Sequence, residues 1–415
     1  MSRIVLKFGG TSLANIERIR NVAQLIASEV HIGNQVAVVV SAMAGVTDQL
    51  ISRVYDSSEC PPDTFEYDVV VSTGEQITCG LLAVALQNIN VPARSWLAWQ
   101  LPILTNDTGT KNQQVQIMPE LILENLMQGY VPVVTGFQGI DHNQRITTLG
   151  RGGSDMTAIA LAHAIKAEHC DIYTDVDGVF TADPRIIPKA YKLDEVSYVE
   201  MLEFARHGAK VLQSHSVEIA MKHKVKVRIL SSFNNGTGTW IVDERKKKQY
   251  SCITGIAINC NTAKIVLTEI LGKPNLEEDI SCILEKAHIY IDMMTKNPSK
   301  NLGELDISFT ISLEDRTRLE SVLTSYQNEL GFKNIKIDTN VAKIAIICNV
   351  VKSPFDIAKN MLNILKRQKI NIQMISQSPA TVIALINKEN ATKSMELLHS
   401  AFGLDRERSY FQKTA

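Results

Sequence analysis

No charge of one sign dominates this 415-residue sequence: 43 lysines and arginines stand against 44 aspartates and glutamates, for a formal −1 at pH 7. That balance gives no electrostatic footprint for nucleic acid or an anionic membrane. Paired cysteines are missing too. The seven present (60, 79, 170, 252, 260, 282 and 348) are odd in number and scattered, and none forms CxxC. Neither a disulfide scaffold nor a zinc site is implied, and free thiols in a reducing compartment are expected. The amino terminus has no charged region followed by an apolar stretch and a small-residue cleavage site; it enters a strand directly. No apolar run approaches the ~18 residues of a membrane span. A soluble, cytoplasmic globular protein of two or three domains is expected.

What is present begins at Ile4-Val5-Leu6-Lys7-Phe8-Gly9-Gly10-Thr11-Ser12. An apolar run ends in a lysine and breaks into two glycines and two hydroxyls. Ile16, Ile19, Val22, Ala23, Ile26 and Val30 then recur at helical steps. Strand, glycine turn and helix start aim backbone N–H groups at an anion. The spacing is neither GxxxxGK[ST] nor GxGxxG, and a plain turn is the competing reading. Up to about residue 240, strand-like runs alternate with helical stretches; they include Val36–Val40, Val131–Phe137, Asp171–Asp175 and Val225–Leu230. Near-continuous apolar strands between helices imply a mainly parallel sheet covered on both faces, with ligands gathered beyond the carboxyl ends of its strands. Asp243 to Gln249, with Arg245 and three lysines, reads as a solvated inter-domain linker.

Beyond it an internal repeat emerges. Ala263-Lys264-Ile265-Val266-Leu267 returns as Ala342-Lys343-Ile344-Ala345-Ile346. Ile283-Leu284-Glu285-Lys286, leading to Ile289-Tyr290-Ile291-Asp292-Met293, returns as Ile364-Leu365-Lys366-Arg367, leading to Ile370-Asn371-Ile372-Gln373-Met374. Two units of about eighty residues fit a ferredoxin-like βαββαβ plan. Regulation and dimerisation are both open roles for such a pair.

Several polar clusters carry chemistry. Thr147-Thr148-Leu149-Gly150-Arg151-Gly152-Gly153-Ser154-Asp155 opens a helix. Arg151 offers a planar fork for a carboxylate, while Ser154 and Asp155 could serve as N-caps. Thr174-Asp175-Val176-Asp177-Gly178-Val179-Phe180-Thr181-Ala182-Asp183-Pro184-Arg185 supplies acids for ribose hydroxyls or a hydrated Mg²⁺ and a ring for a base, although Asp-x-Asp-Gly is also ordinary turn chemistry. Ser72-Thr73-Gly74-Glu75, Val46-Thr47-Asp48 and Gly208-Ala209-Lys210 complete the set. Two glycine loops, two lysines, an arginine fork and nucleotide acids suit phosphoryl transfer. No histidine lies in these loops, so no general base is evident. A carboxylate acceptor, already ionised with a pKa near 4, needs none. The difficulty is electrostatic: a like-charge pair at about 4 Å costs roughly 4 kcal/mol at an effective dielectric of 20. Lysines, backbone N–H groups and Mg²⁺ must offset it.

At these residues the chain resembles the aspartate kinases of the amino-acid kinase family. The resemblance rests on KFGGTS (7–12), VVVSAMAGVTD (38–48), STGEQ (72–76), GFQG (136–139), TTLGRGGSD (147–155), YTDVDGVFTADPR (173–185) and GAKVL (208–212), and the carboxyl-terminal repeats are similar to a pair of ACT modules. It implies an α/β, three-layer αβα catalytic domain over 1–245. Two ferredoxin-like ACT modules would follow at 253–338 and 339–405, with the strand at 253–258 open to the second. ATP would phosphorylate the β-carboxylate of L-aspartate. Lys7 and Gly10 would hold the transferring phosphate, Lys210 would assist from the opposite side, and Asp155 would organise the lysine and phosphates. Ser41, Thr47, Glu75, Phe137, Arg151 and Ser154 would line the aspartate pocket, with Arg151 on a carboxylate and Glu75 on the α-amino group. Phe8, Gly9, Thr174, Asp175, Phe180, Asp183 and Arg185 would join Lys7, Gly10 and Lys210 around the nucleotide. Mg²⁺ would be held mainly by phosphates and water, with no metal site on the protein. Lysine or threonine would act as effectors near Asp292, Met293, Asn297, Asn371 and Ile372, and the ACT modules would form a homodimer or higher homo-oligomer.

The chain departs from the family pattern in places. Gln213-Ser214-His215-Ser216 follows GAKVL, and Phe180 stands where tyrosine is common. Regulated relatives read DKPG, NxDMxxQN and SEI where this chain has Gly272-Lys273-Pro274-Asn275, Tyr290 to Asn297 and Ser378-Pro379-Ala380. Weakened or altered feedback, with dimerisation kept, is the expectation. Rival readings are another amino-acid kinase, such as one like glutamate 5-kinase, and a catalytically silent amino-acid sensor. KFGGTS and the tandem repeats argue against the first; Lys7, Glu75, Arg151, Asp155 and Lys210 together argue against the second.

Overall fold

The computed structural model describes residues 2–57, 60, 62–105, 115–243, 252–271, 275–299, 304–349 and 354–405. The basic stretch at 244–249 and Gly272-Lys273-Pro274 lie outside them. The chain divides into two compact units that interleave in sequence: 1–179, 192–206 and 210–248 form the first, and 180–191, 207–209 and 249–415 the second.

In the first unit the strands are β1 (Arg3–Phe8), β2 (Gln35–Val40), β3 (Ala93–Trp96), β4 (Ile103–Thr105), β5 (Val115–Ile117), β6 (Val131–Thr135), β7 (Gln138–Ile140), β8 (Ile146–Thr148), β9 (His169–Thr174), β10 (Glu195–Ser197), β11 (Val227–Ser231) and β12 (Thr239–Val242). Its helices are α1 (Ile16–His31), α2 (Val46–Asp56), α3 (Thr64–Val71), α4 (Thr73–Asn88), α5 (Glu120–Met127), α6 (Gly153–Ala164), α7 (Tyr198–Arg206) and α8 (Ser214–His223). Eight strands form one sheet in the order β10-β12-β11-β9-β1-β2-β6-β3, parallel from β11 to β3. Val36 to Val40 are all buried, because helices cover both faces of the sheet.

The period of two along β1 sorts its side chains between those faces. Ile4, Leu6 and Phe8 point to one of them and pack with Ile19, Val22 and Ile26 of α1 and Leu82 and Leu86 of α4. Each such fully buried side chain contributes ~2 kcal/mol of apolar burial. Lys7 therefore points to the opposite face, towards α6. The turn after β1 differs from the expected strand-to-helix start. A short 3-10 turn, Gly10–Leu13, follows the glycines, and α1 begins only at Ile16, capped by Asn15 Oδ1 accepting from Arg18 N at 2.9 Å.

One helical run was not legible as such. Thr64–Asn88, which contains α3 and α4, holds an 18-residue window of mean hydropathy 1.6, long and apolar enough by composition for a membrane span. Half of that window is buried within the protein, and the run carries two acids inside, Asp68 and Glu75. These are the marks of a core helix.

The second unit holds two four-stranded antiparallel sheets. Its strands are β13 (Ile253–Asn259), β14 (Thr262–Leu271), β15 (Met293–Pro298), β16 (Glu304–Ser312), β17 (Asn334–Asp338), β18 (Val341–Cys348), β19 (Ile372–Gln377) and β20 (Thr381–Asn387). Its helices are α9 (Leu276–Lys286), α10 (Arg316–Ser325), α11 (Gln327–Leu330), α12 (Pro354–Arg367) and α13 (Ala391–Ala401). The first sheet, β15-β16-β14-β17, has βαββαβ connectivity. The second, β13-β18-β20-β19, is completed at its edge by β13, which precedes the first module in the chain. Segment 180–191 packs into this unit: Ala182 and Ile187 join the cluster around Ile256, Ile344 and Met361. Thr181 O accepts from Ile256 N at 2.7 Å. Thr181 Oγ1 lies 3.0 Å from His399 Nε2, and His399 Nδ1 lies 2.7 Å from Asp405 Oδ1.

Candidate active site

A cavity of about 720 Å³ in the first unit opens at the carboxyl ends of β1 and β2 and the amino end of α6. It gathers ten of the residues singled out in the sequence: Lys7, Gly10, Ser41, Thr47, Glu75, Phe137, Arg151, Ser154, Asp155 and Lys210. Tyr67 also lines it, although nothing in its surroundings in the sequence marked it.

Lys7, only 8% exposed, has its Nζ 2.6 Å from Asp155 Oδ1. The contact is close in distance but off the direction of a hydrogen bond, so that oxygen makes an ion pair and no directed bond. Asp155 stands in the first turn of α6, whose amino end favours negative charge. The cap of α6 is Gly152 at φ +77, not Ser154 or Asp155. A side chain at Gly152 would be strained by that φ and would drive its Cβ to 2.5 Å from Gln213 Cγ. Ser154 and Asp155 are thus released from the capping role and face the cavity. Gly10 is needed for a different reason: a Cβ there would lie 2.9 Å from the Ala42 carbonyl oxygen.

Glu75 on α4 is 3% exposed. Its Oε1 accepts from Ala42 N at 2.9 Å, and its Oε2 is buried with no hydrogen-bond partner among the described residues. Burial pushes the carboxyl up from 4.5 to about 7, against the opposing pull of the Ala42 N–H, the residue's own backbone N–H and the Lys7 charge. Phe137 holds φ +68, a conformation uncommon for a bulky residue, and its carbonyl accepts from Leu149 N at 2.8 Å. Arg151 and Lys210 are exposed and make no ion pair among the described residues.

Other expected residues lie elsewhere. The Phe8 ring is fully buried and stacks on Tyr173 at 4.7 Å, so it cannot reach a nucleotide. The Gly9 N–H donates to Tyr173 O at 3.1 Å and is not free for a phosphate. Thr174 Oγ1 donates to Asp175 Oδ1 at 3.1 Å outside the cavity lining. Phe180, Asp183 and Arg185 group with the second unit. There Asp183 receives the Arg185 guanidinium in a fork, Nε on Oδ1 at 3.0 Å and a terminal nitrogen on Oδ2 at 2.7 Å.

Two of the effector positions, Asp292 and Met293, are engaged within the second unit. Lys343 donates to the Asp292 carboxylate, and the Met293 N–H donates to Thr310 Oγ1 at 3.2 Å. Lys296 lies 3.5 Å from Glu277. Asn275, where regulated relatives carry glycine, holds φ +63. Asn297 and Asn371 are exposed, and Ile372 packs at the edge of the second module's core.

The profile described as the amino acid kinase family matches residues 2–231, and one described as ACT domain matches 344–402. An aspartate kinase of Pseudomonas putida is 41% identical over 406 residues, covering 98% of each chain. The chain belongs to the aspartate kinase branch of the amino acid kinase family. As a member of it, the protein is an ATP-dependent kinase with ACT-type domains. E. coli aspartokinase III solved with aspartate and ADP matches this fold at a TM-score of 0.80 and 24% identity, over 96% of this aspartate kinase family member and 99% of that chain. The same E. coli enzyme solved with lysine and aspartate gives 0.74 over the same shares.

Proposed function

We propose that the chain transfers the γ-phosphoryl group of ATP to the β-carboxylate of L-aspartate, forming 4-phospho-L-aspartate and ADP, a step towards lysine and diaminopimelate, threonine and methionine. The observation that carries this reading is Glu75 Oε2, a buried carboxyl oxygen with no hydrogen-bond partner among the described residues, on a cavity that also holds the Arg151 fork, which makes no ion pair among them. An acceptor that carries both an ammonium and carboxylates satisfies both groups.

In this reading Glu75 takes the α-ammonium, Arg151 a substrate carboxylate, and Ser41, Thr47, Phe137 and Ser154 shape the pocket. The acceptor oxygen is ionised near neutral pH, so it attacks the γ-phosphorus without a base; the new carboxyl–phosphorus bond forms as the bond to the β-phosphate oxygen breaks. Lys7 and Gly10 meet the transferring phosphate, with Lys210 assisting. Asp155 holds Lys7 in place and orients its charge. Thr174 and Asp175, at the carboxyl end of β9, contact the nucleotide outside this cavity. Among the described residues no group of three His, Cys, Asp or Glu side chains could hold a metal ion. Mg²⁺ would be held by the phosphates and water and would offset their charge.

Lysine or threonine binds weakly at the ACT modules, because Asp292 and Lys296 are already paired. Two or more copies associate through those modules, and light scattering of the full chain giving a monomer mass would overturn this. The reaction is tested by ATP turnover with aspartate or glutamate, with hydroxylamine trapping the acyl phosphate as a hydroxamate. Hydroxamate should form with aspartate; its formation with glutamate alone would refute the assignment.

A further inference from the structure

The helical run Thr64–Asn88 carries its two buried acids, Asp68 and Glu75, seven residues apart, about two turns along the same face. Each grips the backbone of a different loop of the cavity. Glu75 takes Ala42 N, in the loop after β2 that carries Ser41. Asp68, 4% exposed, accepts from Thr148 N through Oδ2 at 2.9 Å and from Thr148 Oγ1 through Oδ1 at 2.7 Å. Thr148 is the last residue of β8 and stands three residues before Arg151. One carboxylate with two bonds to one residue fixes both the backbone and the χ1 rotamer of that residue. Beyond it the Arg151 side chain makes no ion pair among the described residues, so its reach is set at the root of the loop. Asp68 itself is absent from the cavity lining.

We infer that Asp68 is a positioning residue for substrate recognition: by clamping Thr148 it sets where the Arg151 guanidinium meets the carboxylate of the acceptor. The inference rests on the aspartate reading above and extends it to a residue that touches no substrate. Asp68→Asn keeps shape and volume but places an NH₂ against one of the two Thr148 donors. The hydroxyl can turn and accept from it while the amide oxygen still takes the backbone N–H, so two charge-assisted bonds become neutral ones and the clamp loosens. The loop root shifts, and charged contacts made by Arg151 weaken.

The test is steady-state kinetics of the full chain with aspartate and ATP varied separately. Asp68→Asn should raise the KM for aspartate about tenfold, the scale of a weakened charged hydrogen bond, and leave the KM for ATP within about twofold. In an Arg151→Ala background, where aspartate binding is read by protection against thermal unfolding, the same change should cost nothing further. A purely structural role predicts the reverse. Both KM values would rise, and the loss would persist without Arg151; either result overturns the inference. Should Asp68→Asn not fold, Thr148→Val, which removes the hydroxyl bond to Asp68 and keeps the backbone one, carries the same selective expectation and the same refutation. A wild-type chain that turns over no ATP with aspartate would sink the functional reading; an active wild type with an unselective Asp68→Asn would sink only this inference.

Discussion

Glu75 offers a prediction in which activity and stability move in opposite directions. Its carboxyl titrates at about 7 in the free folded chain, against an ordinary value of 4.5, because it is buried with one oxygen unpaired. The folded state therefore keeps a proton that the unfolded state has lost between those two values, and stability falls as pH rises through that window. The whole effect is ~3 kcal/mol. Binding of the aspartate ammonium needs the ionised form, so the proton must leave. At pH 6 only about a tenth of the carboxyl is ionised, and the KM for aspartate should stand about tenfold above its value at pH 8 and beyond. The kcat, measured with aspartate saturating, should show less of this dependence. Glu75→Gln keeps the acceptor for Ala42 N but replaces the unpaired oxygen by a donor. Its KM for aspartate should rise about 10- to 150-fold at pH 8, for the ~1.5–3 kcal/mol of a charged hydrogen bond, and should lose the pH dependence. The same variant should melt above the wild type at pH 8, where it removes a buried charge, and level with it near pH 4.5. Initial rates from pH 6 to 8.5 and thermal unfolding at both pH values measure this. A wild-type KM flat across that range, or a Glu75→Gln variant that keeps the wild-type slope, would refute the reasoning.

Other perturbations of the same geometry have equally definite outcomes. Lys7→Ala should collapse kcat while far-ultraviolet circular dichroism stays native; surviving turnover would mean that the phosphate is held elsewhere. Gly10→Ala pushes a Cβ against the Ala42 carbonyl and should cost ~1–3 kcal/mol in denaturant unfolding along with most of the activity. His399→Leu leaves Thr181 and Asp405 without their shared partner. It should lower the stability of the second unit by ~1–3 kcal/mol, read as lost amide protection in β13 and α13 by hydrogen exchange. Titration of lysine and threonine, singly and together, should leave turnover largely intact below the millimolar range; strong inhibition at sub-millimolar concentrations would contradict the reading of Asp292 and Lys296 as already paired.

Much of the site was legible because two periodicities and a few glycines fix it. An apolar run ending at Lys7 names a strand, and alternation alone places Lys7 opposite Phe8. The same alternation could have removed Phe8 from the nucleotide set, since a residue on the α1 face of β1 lies in the core. Ser154 and Asp155 looked like caps because they are good capping residues, but Gly152 takes that place through backbone conformation, which leaves no side-chain signature. Asp68 escaped notice because a lone acid within an apolar helix resembles an exposed one until its partner, Thr148, is brought from far along the chain. The continuous motif from Thr174 to Arg185 reads as one loop, yet the chain passes from one unit to the other within it. Adjacency in sequence carries no information on which core a segment completes.

That passage bears on how the protein can be made. Ala182 and Ile187 help to close a core whose other members lie between Ile253 and Leu404. On the ribosome, residues 180–191 emerge long before the strands and helices that shelter them, and must wait uncovered while the rest is synthesised. A fragment cut at the basic stretch near 245 would display those side chains permanently, and a fragment beginning there would lack them. A functional exchange of regulatory modules between related enzymes must carry this twelve-residue insert along with the tail.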